Sequence, residues 1–485
     1  MGKISNAPTV GIDIGSSLIK VVEARPGKGG VQITALGVAP TPSGVIDDND
    51  VIVDPQTLGQ AIRQLLGESG IKSKRCVSAV SGQSSVVVRI IEVPRMTRQE
   101  LEETMKWEIE RHVPFSANEI LKDFEPIERP GAAADEQNME VLLAVAQQDV
   151  VNSHVDALFA AGLDPVAIDV EPLAVCRSLI DLSKNGEKSK TVAIVNIGAE
   201  TTDLGIFRDG ILAFPRVIPL AGNAITRAIS DAMNISLDEA EKLKREKAVV
   251  HVDMMALHAR EAEPMGEPGS LRTDATVGLG AAPTEEETDY SDMGFIPGLG
   301  FAPTGESKEP EPPAPETGLD FDIDLGASSE ASVGERAAFD LSEDKGEPPS
   351  PRPAFDLSEV SEEPEPTPQA SDLPVPREGE VSDDELFNSL APVLADIVAE
   401  VRRSIDYYVS RYQDQPAEIL LCGGTAKIPN LDKYFEAEFG IPASVANPLK
   451  NTVVISRNLS QDYLNEVAPV FSVSVGLAVR DMIGE

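Results

Sequence analysis

Three features of the sequence predict an α/β fold: a duplicated sheet unit, a small α+β module inserted in the first half, and a long disordered insertion in the second. TVGIDIGSSLIKVVEA near the start and TVAIVNIGAETTDLGIF about 180 residues later share one plan of apolar strand, glycine turn and second strand. Between them lies a stretch that alternates amphipathic helix and strand without repeating that plan. Residues 251–380 hold 18 of the chain's 37 prolines by count, a composition that does not support a packed core.

The elements follow from local pattern. From Val10 to about Val38, VGIDI, LIKVVEA and VQITALGV read as three strands, turning at Gly15-Ser16-Ser17 and between Pro26 and Gly30. Pro55–Leu66 reads as a helix with Leu58, Ala61, Ile62 and Leu65 on one face, and CVSAVS returns the chain to the sheet. Residues 86–168 read as the small module. In it RQELEETMKWEIERHV carries Leu101, Met105 and Ile109 at helical spacing, with Trp107 off that stripe. EVLLAVAQ is a buried strand, and QDVVNSHVDALFAAG a helix stopped by Gly162.

The second half opens with strands TVAIVNI, TDLGIF and ILAFPRVI, then helices at Gly222–Met233 and SLDEAEKLKRE, the latter started by a Ser236/Glu239 capping box. Residues 251–380 carry 31 acidic and 7 basic side chains by count, and read as disordered. AFDLSE occurs there at 338–343 and 354–359, and GLGAAPT at 278–284 returns as GLGFAPT at 298–304; these are either docking motifs or drift in a linker. Order resumes at the Ser382/Glu385 capping box, followed by a helical stripe from Leu390 to Tyr408. Strand AEILLC, the turn Gly423-Gly424, a short helix from Pro429, strand ASVAN and a final helix near Val467–Ile483 complete the reading.

Composition excludes several classes. The formal net charge is −40, with 81 acidic against 41 basic residues, which disfavours a nucleic-acid partner. Cys76, Cys176 and Cys422 are far apart and have no metal-ligand or disulfide pattern, which fits a reducing cytoplasm. No apolar run reaches the ~18 residues of a membrane span, so the expectation is a soluble protein.

The glycine turns carry the chemistry. Strand–Gly15–Ser16–Ser17–strand exposes backbone N–H groups suited to phosphate oxygens. Asp13, near the strand end, is placed to hold Mg²⁺ through water, and Lys20 on the next strand to clamp phosphates. Alone, this pattern is more often that of a plain hairpin. The second turn repeats it: Asn196 at the strand end, then Gly198, Ala199, Glu200, Thr201 and Thr202. Two such loops face to face would clamp a triphosphate; otherwise the duplication has kept its turns without a ligand. Gly423 and Gly424 end a buried strand and allow close approach to a flat base. Glu241 and Lys244, three apart on the capped helix, are either ribose contacts or a solvated charged face.

In this order, IDIGSS, VNIGAETTDL, AEKLK and LCGGTAKIPNL resemble the nucleotide site of the actin-like ATPase superfamily, two ribonuclease-H-like halves around a cleft. GIDIGSSLIKVVE, IEVPRMTRQELEETMKWEIERHVPF, AGLDPVAIDVEPLA and RRSIDYYVSRY with ILLCGGTAKIPNLDKYF resemble the type IV pilus assembly protein PilM family, related to the cell-division protein FtsA. The resemblance implies a first actin-like domain at 1–85 and 169–189, with the C-terminal helix 467–485 packing back on it. It implies the small module at 86–168, a second domain at 190–250 and 381–466, and the insertion at 251–380.

It further implies ATP and Mg²⁺ as cofactors: Asp13 on magnesium; Gly15, Ser16, Ser17 and Lys20 on phosphates; Gly198–Thr202 on the second phosphate face; Glu241 and Lys244 on the ribose; Gly423, Gly424 and Thr425 on the adenosine. Asp13 and Asn196 are the candidate catalytic positions. Asn196 stands where many members carry Asp, so hydrolysis is expected to be slow or absent.

The implied partner is the N-terminal cytoplasmic tail of the inner-membrane protein PilN, with other pilus platform or motor proteins. The chain would be cytoplasmic and peripheral to the inner membrane through partners alone; a dimer or ring stays open. Trp107 is either a wall of the tail's groove or a core residue. Alternative readings are an FtsA-like division filament, a type II secretion scaffold and a small-molecule kinase. The chain stops at VGLAVRDMIGE without a basic amphipathic helix, which counts against the first, and no general base for an acceptor hydroxyl is evident for the last.

Overall fold

In the computed structural model, residues 7–47, 49–82, 84–116, 119–129, 137–180, 190–255, 382–455 and 460–483 are described. The chain opens with β1 (Thr9–Ile14), β2 (Leu18–Gly27) and β3 (Gly30–Pro40), then α1 (Pro55–Glu68) and β4 (Arg75–Val80). β5 (Val86–Pro94), α2 (Arg98–His112), β6 (Ile120–Ile127) and β7 (Asn138–Gln147) follow. Next come α3 (Gln148–Ala160), β8 (Asp164–Val170) and α4 (Glu171–Leu179).

The second run is β9 (Thr191–Ile197), β10 (Thr202–Arg208), β11 (Ile211–Ile218), α5 (Gly222–Met233) and α6 (Leu237–Lys247). It resumes with α7 (Asp383–Tyr412), β12 (Glu418–Cys422), α8 (Leu431–Phe439), β13 (Ala443–Val445), β14 (Val453–Val454), α9 (Gln461–Val467) and α10 (Ser472–Ala478).

The duplication is complete at the level of topology. The first sheet runs β14-β3-β2-β1-β4-β8 and the second β11-β10-β9-β12-β13. In each, the opening strand pairs antiparallel with the next and parallel with the strand that returns after the helices. β1 is buried at all six positions, as a central strand covered on both faces must be, and reads TVGIDI with few polar residues. This is the duplicated actin-like fold expected from the sequence.

α4 and α10 lie between the sheets. One apolar cluster joins Val77 and Ala79 of the first sheet, Val192, Ile194 and Phe207 of the second, Ala174 and Val175 of α4, and Val473 and Leu477 of α10. Two glycines permit this packing. A Cβ on Gly11 would sit 2.0 Å from the Ser474 carbonyl oxygen, and one on Gly476 would sit 1.7 Å from that of Ala174.

The third sheet, β5-β7-β6, is antiparallel and covered by α2 through Leu101, Met105 and Ile109. A capping box of Thr97 and Glu100 starts that helix.

The structure moves two expected boundaries. α3 packs its Ala157 and Leu158 with the Leu58 and Ile62 of α1, and β8 pairs parallel with β4. The small module therefore ends near Gln147 and not at 168, because the apolar face of α3 covers the first sheet. Residues 251–255 belong with the second sheet's layer: His251 meets Phe387 edge-on at 5.0 Å, and Met255 is buried in the same core as α7. The rest of the insertion expected at 251–380, with its AFDLSE and GLG repeats, lies outside the described residues.

The single helix expected near Val467–Ile483 is broken. A 3-10 turn at Ala468–Phe471, carrying Pro469, separates α9 from α10, and the freed Pro469 carbonyl accepts the Gly423 amide at 3.0 Å.

Gly476→Ala is expected to cost about 3 kcal/mol or more, because neither α10 nor α4 can retreat from a buried interface. Urea denaturation read by far-UV circular dichroism checks this; an unchanged midpoint would show that the two helices are not held in backbone contact.

Candidate functional site

The duplicated hairpins meet at one cleft of about 660 Å³. Gly15 N–H donates to the Leu18 carbonyl at 3.0 Å, and Gly198 N–H to the Thr201 carbonyl at 2.9 Å, so the two turns close identically. The strands above them keep the same register, pairing Asp13 with Lys20 and Asn196 with Asp203. Among the described residues no backbone acceptor takes the amides of Ser16, Ser17, Ala199 or Glu200. Those N–H groups, two in each turn, border the cleft and are free for an anion.

The cleft brings together Asp13, Gly15, Ser16, Ser17, Lys20, Asn196, Gly198, Ala199, Glu200 and Thr201 with Glu241, Lys244, Gly423, Gly424 and Thr425. Of the residues expected at the site, Thr202 alone is elsewhere. It is fully buried, its hydroxyl bonded to the Leu220 carbonyl at 2.7 Å. The hairpin register explains the miss. Thr202 occupies the place of Ile19, and both point into the core on the strand face opposite to Lys20 and Asp203.

At the late glycine turn, Gly423 has φ +88, and a Cβ there would sit 2.4 Å from the Ile197 carbonyl oxygen. Only glycine lets this turn lie against the end of β9. The Thr425 hydroxyl then reaches the Gly198 carbonyl at 3.0 Å, joining the late turn to the second loop.

Sequence reading missed two carboxylates. Glu171 begins α4, where β8 delivers it to the cleft; its Oε1 accepts from Ser81 at 2.8 Å and its Oε2 from the Asn196 amide at 3.3 Å. Asp203 mirrors Lys20 and bonds the Thr201 hydroxyl at 3.3 Å. Loss of water pushes both acids above the usual carboxylate range. The charge of Asp203 and then that of Asp13 add to the shift of Glu171, while Asp50 and Asp13 add to that of Asp203. The one signal available was the position of Asp203 opposite Asn196 in the repeated hairpin.

Asp13 is offset by Lys20, whose ammonium is 2.8 Å from its Oδ2. Among the described residues no three acidic, histidine or cysteine side chains are set to ligate one metal directly. A hydrated Mg²⁺ fits this donor set better than a bare ion would: it keeps its waters and needs only one or two carboxylates. Asp13 would be the residue to hold such an ion, with Asp203 also at the cleft.

The Type IV pilus assembly protein PilM family model matches residues 11–252. The chain belongs to the PilM family, within the actin-like ATPase superfamily and related to FtsA. The cell division protein FtsA model also matches, over residues 193–476. FtsA of Bacillus subtilis strain 168 is 25% identical over 270 residues, 51% of this chain and 60% of that protein. FtsA of Neisseria meningitidis strain MC58 is 23% identical over 271 residues, 51% of this chain and 63% of that protein. The chain thus spans about 60% of the length of the curated relatives it matches. A solved PilM–PilN type IV pilus biogenesis complex superposes with a TM-score of 0.64 at 23% identity, covering 98% of this chain and 99% of that one, a likeness of fold.

Because Glu171 keeps its proton in the folded state at pH values where the unfolded chain has lost it, its burial costs stability as pH rises above the ordinary 4.5. Glu171→Gln is therefore expected to raise the melting temperature over the parent, by an amount that grows from about pH 5 to about pH 8. Melting curves across that range check it; a constant offset would mean that Glu171 titrates normally.

Proposed function

We propose that this chain is an ATP-binding, actin-like scaffold of the type IV pilus inner-membrane assembly platform. It would act at the cytoplasmic face, held to the membrane by its partners, and grip the N-terminal tail of a PilN-type inner-membrane protein. The observation that carries the nucleotide half of this reading is the convergence of two identical glycine turns and the Gly423–Thr425 turn on one cleft.

In this reading the free amides of Ser16, Ser17, Ala199 and Glu200 and the Lys20 ammonium hold phosphate oxygens, and Asp13 holds hydrated magnesium. Magnesium, when bound, neutralises phosphate charge. Lys20 must then exchange its bond to Asp13 for one to a phosphate, a move open to a side chain already at the cleft wall. Glu171 is the acid at the cleft nearest the role of a general base, but burial keeps it protonated and its two oxygens are engaged by Ser81 and Asn196. Turnover is accordingly slow or absent.

Two outcomes are expected for nucleotide. Lys20→Met weakens ATP binding about tenfold, the worth of one charge-assisted hydrogen bond, read by calorimetry with magnesium present. Phosphate release stays far below one turnover per second; several per second would refute the scaffold reading.

The partner half rests on the family and on Trp107. This residue is 74% exposed on the outer side of α2, so the core alternative is overturned. As the chain's one tryptophan it reports its own surroundings. A peptide with the amino-terminal sequence of the PilN-type partner is expected to shift Trp107 emission to the blue on binding, with loss of the shift in the Trp107→Ala control. Binding without any shift would place the tail's groove away from α2. Co-purification with a type II secretion partner, or pelleting with liposomes alone, would favour the secretion-scaffold or FtsA-like reading instead. A screen of sugars and small acids for ADP release tests the kinase reading.

A further inference from the structure

Lys244 is expected from sequence to face the ribose, yet its side chain is only 9% exposed and its three N–H groups are all spent. They reach the Gly222 carbonyl at 2.9 Å, the Thr226 hydroxyl at 2.8 Å and Glu241 Oε2 at 2.6 Å. Glu241 is equally engaged, accepting from Thr226 at 2.6 Å and, through Oε1, from Arg245 at 2.7 Å. The Lys244 ammonium has no N–H left for a nucleoside.

What the bonds hold is the start of α5. Gly222 N–H donates to the Gly198 carbonyl at 3.1 Å, Asn223 N–H to the Ala199 carbonyl at 2.8 Å, and the Asn223 side-chain amide to Glu200 at 2.5 Å. α5 has no side-chain N-cap, so its first amides find their partners in the second phosphate loop. Gly222 must be glycine for this: a Cβ would lie 2.6 Å from the Thr425 hydroxyl and 3.0 Å from the Gly198 carbonyl oxygen. The carbonyls of Gly198 and Ala199 are thus tied from behind, which leaves the loop's free amides aimed at the cleft.

We propose that Lys244 is a positioning residue for the second phosphate loop, acting through the Gly222 carbonyl, and is not a contact to the nucleoside. The effect on ligands rests on the ATP-binding reading above; the effect on the loop does not. Lys244→Met and Thr226→Val are to be compared with the parent in binding ATP and AMP, and in hydrogen exchange of the nucleotide-free protein. Lys244→Met is expected to weaken ATP about tenfold and AMP about twofold or less, so the ratio of the two affinities falls. Thr226→Val should move the ratio the same way. Without nucleotide, exchange at Gly222, Asn223 and residues 198–201 should quicken about tenfold or more in both variants, with other regions unchanged.

Equal weakening of ATP and AMP would overturn the proposal in favour of a nucleoside contact. Unchanged exchange at those amides would overturn it independently. A parent protein that binds neither ligand would sink the ATP reading alone, since the exchange comparison would still decide the role of Lys244. Should Lys244→Met not fold, Thr226→Val carries both comparisons.

Discussion

The cleft depends on one backbone hydrogen bond made twice, from a glycine amide to the carbonyl three residues on, Gly15 to Leu18 and Gly198 to Thr201. Closing each hairpin this way consumes one amide and leaves the next two without a protein acceptor among the described residues. A free backbone N–H is costly where water is scarce. Here the cost is met by placing both pairs at a solvated cleft where an anion can take them. Because strand register follows from the same turn, the bond also decides which side chains stand at the rim. Every second residue faces the cleft, and a slip by one would send Lys20 and Asp203 into the core.

The two halves share a backbone plan and differ in charge. Where the first hairpin sets Asp13 against Lys20, the second sets Asn196 against Asp203. The cleft therefore gathers Asp13, Glu171 and Asp203 with Lys20, and Glu171 and Asp203 are held above the usual carboxylate range by lost hydration and neighbouring acidic charge. Such an arrangement favours a ligand that arrives with a cation.

Much of this was legible in the sequence because it is local. Turn glycines, alternating strands and the Ser236/Glu239 and Ser382/Glu385 capping boxes all act within a few residues, and the structure shows each of them. What was not legible depends on packing between distant segments. Nothing in the apolar face of α3 says which sheet it covers, so the module boundary was placed too late. Thr202 looked like a ligand because it bears a hydroxyl, whereas strand parity puts it with Ile19 in the core. Glu171 reaches the cleft only because β8 pairs with β4, and the saturation of Lys244 depends on Gly222 and Thr226, on a different helix. Trp107 lies off the apolar stripe of α2, and that spacing pointed outward; its exposure follows the helix geometry directly.

If both turns hold one phosphate chain between them, a crystal structure with a non-hydrolysable ATP analogue and magnesium will show it. Phosphate oxygens are expected within hydrogen-bond distance of amides in both turns, at Ser16 or Ser17 on one side and Ala199 or Glu200 on the other. Phosphates resting on one turn alone, or a nucleotide bound outside the cleft, would contradict it.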